Sequence, residues 1–211
     1  MPPRTYDNSL RKEMEADTIR RIVLATVELH AKQGALATTH AEIADAAGVS
    51  VATVYKHFPS RESLLPHCTG MVAEQAPQID VQEILETRDR NAAIGRLVRA
   101  LHGKYRYMHP WLRWGSRDGP ALPALGQIIE ENRRRTEHLV RTVLDSVAGT
   151  SVNDETFALA MVILDYPAWQ RLDQMLNDPE RVSSAAEQVL QLLLTEGSDH
   201  GKHATPRYHN R

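Results

Sequence analysis

The side chains with the clearest chemical use lie close together between Ser50 and His57. Hydrogen-bond donors of the kind that contact phosphate oxygens or base edges come from Ser50, Thr53, Lys56 and His57. Two small apolar side chains, Val51 and Ala52, stand beside these donors and fit against the methyl group of thymine. This combination indicates a surface that contacts DNA.

Helix start and stop signals predict the elements that position these side chains. Thr39 is a good N-cap residue, and Glu42 three positions later completes a capping box. Gly48 supplies a helix stop, because a left-handed backbone is easiest for glycine. Ser50 then caps a second helix and Ser60 a third. A helix, a tight turn and a second helix form a helix-turn-helix; an ordinary helical hairpin is the alternative if the turn alone is considered.

The residues around this turn resemble the N-terminal domain of TetR/AcrR-type repressors, in order and without gaps. The matching segments are residues 34–39, 42–44, 47–50, 53–55 and 57–58. The resemblance implies that Tyr55 and His57 contact operator phosphates and that Arg61 stands where a phosphate-binding lysine is common. Thr38 is a further phosphate candidate. The predicted DNA-binding residues are Thr38, Thr39, Ser50, Val51, Ala52, Thr53, Tyr55, Lys56, His57 and Arg61.

Composition limits how DNA affinity can arise. The 211 residues carry a net charge of −2, and residues 4–62 contain eight Lys/Arg and eight Asp/Glu. Affinity must therefore come from a few well-placed cations and from two protomers acting together. The single cysteine, Cys68, excludes an internal disulfide and fits a cytoplasmic protein. The longest apolar run, residues 157–164, is too short to span a membrane.

Helical periodicity recurs along the chain and no strand pattern is present, so the predicted fold is all-α. A three-helix DNA-binding domain is followed by a helical bundle. The predicted divisions are a flexible arm at 1–13, the helix-turn-helix domain at 14–65, a regulatory and dimerisation domain at 66–197 and a disordered tail at 198–211. A bend is expected at Pro66, and a helix over residues 154–177 is expected to kink at Pro167.

The aromatic content of the bundle suggests a pocket for a small molecule, since such pockets are mostly apolar with a few polar groups. The predicted walls are Tyr105, Trp111, Trp114, Met161, Tyr166 and Trp169, and the predicted polar contacts are His102, Arg113 and Asp165. Simple core filling is the alternative for each of them. The resemblance to TetR/AcrR-type repressors implies an effector site in this bundle.

Three isolated features are interpreted conservatively. His30 and Cys68 are predicted to be packing residues. The tail residues His200, His203 and His209 could hold a metal ion, but a low-complexity tail is the preferred interpretation. We therefore expect neither a metal nor a cofactor.

The resemblance implies a homodimeric repressor that binds a pseudo-palindromic operator and is released by a small, mostly apolar effector. The last two long helices carry more apolar residues than one bundle face needs, so they are predicted to form the dimer interface. The effector is expected to shift the helix at Pro66. An activator or protein-responsive regulator without a pocket is one alternative. A helical enzyme is another, disfavoured because the sequence lacks a phosphate loop, dinucleotide glycine motif, nucleophile elbow or metalloprotease helix.

Overall fold

The computed structural model describes residues 9–199, and every regular element in this range is a helix. The predicted all-α class is confirmed for this part of the chain. The helices are α1 Ser9–Gln33, α2 His40–Ala47, α3 Val51–His57, α4 Arg61–Gln75, α5 Val81–Leu85, α6 Arg90–Leu112, α7 Gly115–Asp118, α8 Pro123–Ala148, α9 Asp154–Leu164, α10 Tyr166–Leu176 and α11 Pro179–Asp199. Over the described range, none of these helices is both long enough and apolar enough to cross a membrane.

The described chain divides into two compact units. The first contains the residues up to Ala76 together with Met108–Glu130, and the second contains Pro77–Tyr107 and the residues from Glu131 onward. This division differs from the predicted boundary after residue 65. The reason is that residues 108–130 pack with the first four helices rather than with the bundle, which sequence order alone does not reveal.

Helix α1 begins at Ser9, inside the segment predicted to be a flexible arm. Leu10, Arg11, Lys12 and Glu13 are strong helix formers, and their exposed side chains continue a helix whose later turns are anchored in the core. The prediction of a flexible arm is therefore wrong for residues 9–13, and residues 1–8 lie outside the described residues.

The core of the first unit joins helices α1 to α4, called the reader below, to the start of α8. Its fully buried side chains include Ile22 of α1, Ile43 of α2, Val54 of α3 and Leu64 of α4. Leu122, just before α8, packs into the same cluster. The α1 and α2 apolar stripes thus meet the single buried valine of α3, which leaves the rest of that short helix at the surface.

The predicted capping signals of the helix-turn-helix are confirmed atom by atom. The Thr39 hydroxyl accepts the Glu42 amide at 3.2 Å, and the Glu42 carboxylate accepts the Thr39 amide at 2.8 Å. Gly48 adopts φ +64°, so its backbone is left-handed as expected. Ser50 accepts the Thr53 amide at 3.1 Å and Ser60 caps α4. These contacts fix both ends of the turn between α2 and α3.

The second unit is built around α6. Leu97, Val98 and Leu101 of α6 are essentially inaccessible and pack with buried residues of α8, α9 and α11. On the α11 side, the Arg99 guanidinium donates to the Glu187 carboxylate at 2.6 Å. Gly95 leaves room for this ion pair, because a Cβ there would lie 2.8 Å from an Arg99 nitrogen. The unit is a helical bundle, as predicted.

The expected kinked helix over residues 154–177 is two helices instead. Asp165 adopts an extended backbone with ψ 155°, which ends α9, and its carboxylate accepts the Tyr166 amide at 2.8 Å to start α10. Pro167 then falls in the first turn of α10, where the missing amide costs no helical hydrogen bond. The start of α9 is capped by Asn153. In contrast, α4 runs from Arg61 to Gln75 with Pro66 inside it.

Each unit contains a buried histidine whose ionisation is suppressed. Burial lowers the pKa of His30 to about 4, against the opposing attraction of Asp118. Burial also lowers the pKa of His102 to about 4, and the nearby Arg106 charge adds to this effect. The Cys68 sulfur lies 3.6 Å from the His30 Nδ1, and burial raises the pKa of the Cys68 thiol to about 12. His30 and Cys68 are packing residues, as predicted.

Because these two histidines stay neutral in the folded protein, its free energy of unfolding should fall as the pH is lowered through the mildly acidic range. Between the unfolded pKa near 6.5 and the folded pKa near 4, the unfolded chain binds protons that the folded protein does not. The contribution of the two neutral imidazoles is complete above about pH 6.5 and is lost as pH falls toward 4. Urea denaturation at a series of pH values should show this decline, and His30→Gln should show a shallower one. The control is His138→Gln, because His138 is exposed; equal slopes for the two variants would contradict the assignment.

Candidate nucleic-acid interface

The outer face of α3 carries the side chains predicted to meet DNA. Val51 and Tyr55 are 41% and 52% exposed, and Ala52 and Lys56 are also at the surface. The Ser50 and Thr53 hydroxyls lie 2.8 Å apart and share the cap of the helix. The short helix therefore presents small and hydrogen-bonding groups from a backbone that is already fixed.

Tyr55 is held in place by a residue that the motif did not single out. The rings of Tyr55 and His40 stack with centroids 4.3 Å apart and planes only 1° apart. The His40 Nε2 lies 2.9 Å from the Phe58 carbonyl oxygen, so His40 donates through this nitrogen and joins α2 to the end of α3. Stacking leaves few positions for the Tyr55 ring. The one sequence signal was that TetR/AcrR-type repressors, which this segment resembles, usually have an apolar residue where His40 stands.

A carboxylate from α1 competes for the cations of α3. The Glu15 carboxylate lies 3.9 Å from the Lys56 ammonium and 3.9 Å from the His57 Nδ1. The Lys56 side chain is 68% exposed, whereas that of His57 is only 10% exposed. An exposed pair at this distance is weak, so a phosphate can replace Glu15 as the partner of Lys56. Sequence spacing gave no sign of this contact, because Glu15 and Lys56 are far apart in the chain.

The two threonines before α2 form hydrogen bonds with nearby backbone groups. Thr38 is 1% exposed, and its hydroxyl donates to the Gly34 carbonyl oxygen at 2.7 Å. Its side chain therefore faces the interior, and the predicted phosphate contact through this hydroxyl is revised. The Thr39 hydroxyl is exposed but donates to the Glu42 carboxylate at 2.8 Å. Hydrogen bonds from Thr39 and Gln33 lower the pKa of Glu42, which keeps a negative charge there.

Arg61 reaches back from α4 to the turn between α1 and α2. Its guanidinium is exposed and donates to the Leu36 carbonyl oxygen at 2.8 Å. A planar guanidinium has donors on several edges, so this bond is compatible with a phosphate contact by another edge. The prediction of a phosphate contact at Arg61 is unchanged.

The predicted ligand-binding residues fall into two separate groups. Trp111, Arg113 and Trp114 belong to the first unit, with the reader helices. Their donors are directed to backbone carbonyls of α1: Trp111 to Val27 at 2.9 Å, Arg113 to Ala31 at 2.8 Å and Trp114 to Ala31 at 3.2 Å. These contacts give the three side chains a structural task in the reader, and their assignment to a single pocket with the bundle aromatics is corrected.

Three of the six remaining members, Tyr105, Tyr166 and Trp169, form an aromatic cluster in the second unit. The three ring centroids are 5.7–6.1 Å apart. The Tyr105 hydroxyl donates to the Leu164 carbonyl oxygen at 2.9 Å, at the break between α9 and α10. Burial, reinforced by the Asp165 charge, raises the pKa of Tyr105. The hydroxyl thus stays protonated and orders this end of the bundle.

His102 lies on α6, one helical turn before Tyr105. It is 1% exposed, and its Nδ1 lies 3.2 Å from the Ser183 hydroxyl. Its Nε2 is buried and has no hydrogen-bond partner among the described residues. Met161 packs partly buried in the same unit, while Asp165 is exposed and caps α10. The described residues contain no group of three or more His, Cys, Asp or Glu side chains that could hold a metal ion.

Comparison with known proteins identifies the family of the helix-turn-helix. Residues 22–68 match the family described as bacterial regulatory proteins, tetR family. These residues contain α2 and α3, so the helix-turn-helix of this chain is a TetR-family DNA-binding domain. A relative is the HTH-type transcriptional regulator LuxR of Vibrio harveyi, which is 28% identical over 120 residues. That match covers 54% of this chain and 55% of LuxR, so the chain spans about half the length of this relative.

Several solved structures, a TetR regulator among them, share the fold over most of the chain. A TetR regulator from Haloarcula marismortui is similar with a TM-score of 0.62 and 20% identity, covering 86% of this chain and 98% of that one. A transcriptional regulator from Rhodococcus sp. RHA1 has a TM-score of 0.61 and 20% identity, covering 89% and 99%. RolR in complex with the ligand resorcinol has a TM-score of 0.50 and 20% identity, covering 92% and 98%. The matched family and the LuxR relative are transcriptional regulators and not enzymes, in agreement with the predicted class of protein.

Lys56 and Glu15 should affect DNA affinity in opposite directions. We expect Lys56→Ala to weaken DNA binding by roughly tenfold and Glu15→Gln to strengthen it, because the first removes a cation and the second removes its competitor. Fluorescence anisotropy with labelled DNA at fixed salt measures both. If Lys56 meets a base edge, its loss also relaxes sequence preference at one base pair.

The matched control is Lys104→Ala, which makes the same charge change in the second unit. Equal effects of the two lysine variants would show that only net charge matters and would contradict a contact at Lys56.

Proposed function

We propose that this regulator is a homodimeric repressor that binds a pseudo-palindromic operator and leaves it when a small, mostly apolar molecule binds the second unit. The observation that carries the proposal is the pairing of a DNA-reading surface on α3 with an exposed apolar surface on α9 and α11. The protein acts in the cytoplasm, where its operator is. The two halves of the proposal depend on different contacts and are tested separately.

The exposed apolar surface supports a dimer. Leu159 and Val162 of α9 are 52% and 65% exposed, and Val189 and Leu192 of α11 are 38% and 63% exposed. Residues three apart lie on the same helix face, so each helix shows an apolar stripe, and the two helices pack against each other. Exposed apolar patches of this kind mark association surfaces. A two-fold axis through this surface brings the same stripes of a second copy against them.

The charge balance of the DNA-binding segment is a reason for two copies to bind together. The reader segment over residues 4–62 has as many acidic as basic residues, so one copy gains little from general attraction to phosphate. Two copies double the specific contacts, and a two-fold pair of α3 helices requires a pseudo-palindromic site. A repressor is favoured over an activator because such a dimer occupies DNA without needing a further protein surface.

The aromatic cluster of the second unit supports an effector site. Aromatic rings with a few polar groups are typical of small-molecule sites, and His102 adds a buried polar atom beside them. RolR, with the same fold, holds resorcinol in its solved structure. Binding here changes DNA affinity only if the ligand prefers one arrangement of the protein, which the helix containing Pro66 transmits. A regulator that responds to a protein partner instead is the alternative.

Selection of bound sequences from a random DNA pool should yield a pseudo-palindrome whose half-sites are separated by about one helical turn or more.

Leu192→Asp should give a monomer in sedimentation experiments and a loss of operator binding, because it places a charge in the dimer surface. Leu10→Asp is the control for the oligomeric state, since Leu10 is 64% exposed on α1 of the other unit. A dimeric Leu192→Asp, or a selected site without symmetry, would contradict the proposed interface.

A thermal-shift screen of small uncharged aromatic compounds, with resorcinol as the first probe, tests the effector site. A compound that stabilises the wild type should lose most of its effect on Tyr166→Ala and keep it on Trp111→Phe, because only Tyr166 belongs to the second-unit cluster. The same compound should lower operator affinity. DNA affinity that stays constant with every bound compound would rule out the release step.

A further inference from the structure

The carbonyl end of α1 is held by side chains from the segment between α6 and α8. The last carbonyl groups of a helix have no partner within the helix and require donors from elsewhere. Arg113 and Trp114 donate to the Ala31 carbonyl in the last turn of α1, and Trp111 donates to the Val27 carbonyl one turn earlier. Arg117 adds a bond to the Gln33 carbonyl oxygen at 2.7 Å. The cationic groups also complement the negative end of the helix dipole.

Asp118 extends this hold to the turn that follows α1. Its side chain is only 1% exposed. One carboxylate oxygen accepts the Leu36 amide at 3.2 Å, and the other accepts the Arg117 Nε at 2.5 Å. A buried carboxylate is strongly unfavourable without such partners. The contact raises the pKa of Arg117 and keeps the pair ionised.

The Arg117–Asp118 ion pair packs directly against Gly34. Its backbone has φ +86°, which strains any residue with a side chain. A Cβ atom at this position would also lie 2.3 Å from an Arg117 nitrogen and 2.4 Å from an Asp118 oxygen. The absence of a side chain at Gly34 thus allows the ion pair to reach the backbone of the turn. The positive φ and the short Cβ distances both require glycine at this position.

The ion pair is itself stacked. The guanidinium carbons of Arg113 and Arg117 lie 4.7 and 4.6 Å from the centroid of the Trp114 ring. Cation–π contacts restrict where both guanidinium groups can go. The segment therefore meets α1 as an ordered set of donors.

The turn held by Asp118 leads directly into the reader. Leu36 makes two of these contacts: its amide donates to Asp118, and its carbonyl oxygen accepts the Arg61 guanidinium at 2.8 Å. Thr38 ties the same turn to the Gly34 carbonyl oxygen at 2.7 Å. Thr39, the next residue, caps α2. The position of Leu36 therefore determines where α2 begins. Since the turn at Gly48 joins α2 to α3, it also affects the position of α3.

We propose that Asp118, with its partner Arg117, is a positioning residue for DNA binding, holding the turn between α1 and α2 in the form that places α3 on the operator. The proposal rests on the proposed operator binding. Neither residue touches DNA in this scheme. Their effect passes through the Leu36 amide and the start of α2, a route distinct from the helix that contains Pro66.

Operator affinity and local amide exchange test this role in the full-length protein. Asp118→Asn and Arg117→Gln should each weaken binding to the selected operator by about tenfold or more. Hydrogen exchange should accelerate in residues 34–38, while the middle of α1 and the second unit keep their protection. Arg117→Lys retains a charge beside Asp118 and should recover part of the affinity. Glu131→Gln is the control, since it breaks an exposed ion pair with Arg135 in the second unit.

The outcomes separate the positioning role from the proposed function. If the wild type selects no operator, operator recognition fails and this proposal fails with it. If the wild type binds and the Arg117 and Asp118 variants bind equally well, only the positioning role is overturned. A loss of affinity that accompanies a general loss of protection across the first unit also overturns it. Should Asp118→Asn not fold, Arg117→Gln carries the test, because the Arg117 side chain is 45% exposed.

Discussion

Helix ends leave polar backbone groups without partners inside the helix, and the arrangement of this chain depends on how those groups are satisfied. The starts of α2 and α3 use nearby side chains, Thr39 and Ser50. The start of α10 uses Asp165 in the same way and thereby breaks a long apolar segment into two helices. The end of α1 is different, because its donors come from about 80 residues later in the chain. That one long-range solution recruits residues 108–130 into the DNA-binding unit.

This difference explains what could be predicted from the sequence. Capping residues act within three or four positions, so Thr39, Glu42, Gly48 and Ser50 could be assigned correctly from spacing alone. The all-α class and the helix-turn-helix followed from the same local signals. Pro167 was misjudged because a proline in the first turn of a new helix and a proline inside an old one look alike in sequence.

The candidate site was harder to predict where partners are distant. An indole N–H reads the same whether it lines a pocket or donates to a carbonyl, and the Trp111 partner lies 84 residues away. Aromatic composition therefore favoured a single pocket that the structure divides. Thr38 looked like a surface donor, but burial at the turn gave its hydroxyl an internal acceptor. Glu15 was missed because no local pattern relates α1 to the charges of α3.

The reading helix is short and its surroundings supply most of its order. Val54 is its one buried residue, so packing alone could not hold the outer face in place. The stack of His40 on Tyr55 and the cap at Ser50 add restraints at both ends. The predicted DNA-contact residues are thus held in place by neighbouring elements rather than by the stability of α3 itself.

The carboxylate of Glu15 beside Lys56 has a consequence for how the protein behaves in a cell. A genome offers a vast excess of random sequence, and attraction to its phosphates holds most DNA-binding proteins away from their targets. Glu15 offsets the Lys56 charge until a phosphate replaces it, and residues 4–62 carry no excess of positive charge, so the chain gains little from general attraction to random duplex. Under the proposed operator binding, fewer copies are held on random sequence along the chromosome, so a small number of molecules keeps the operator occupied.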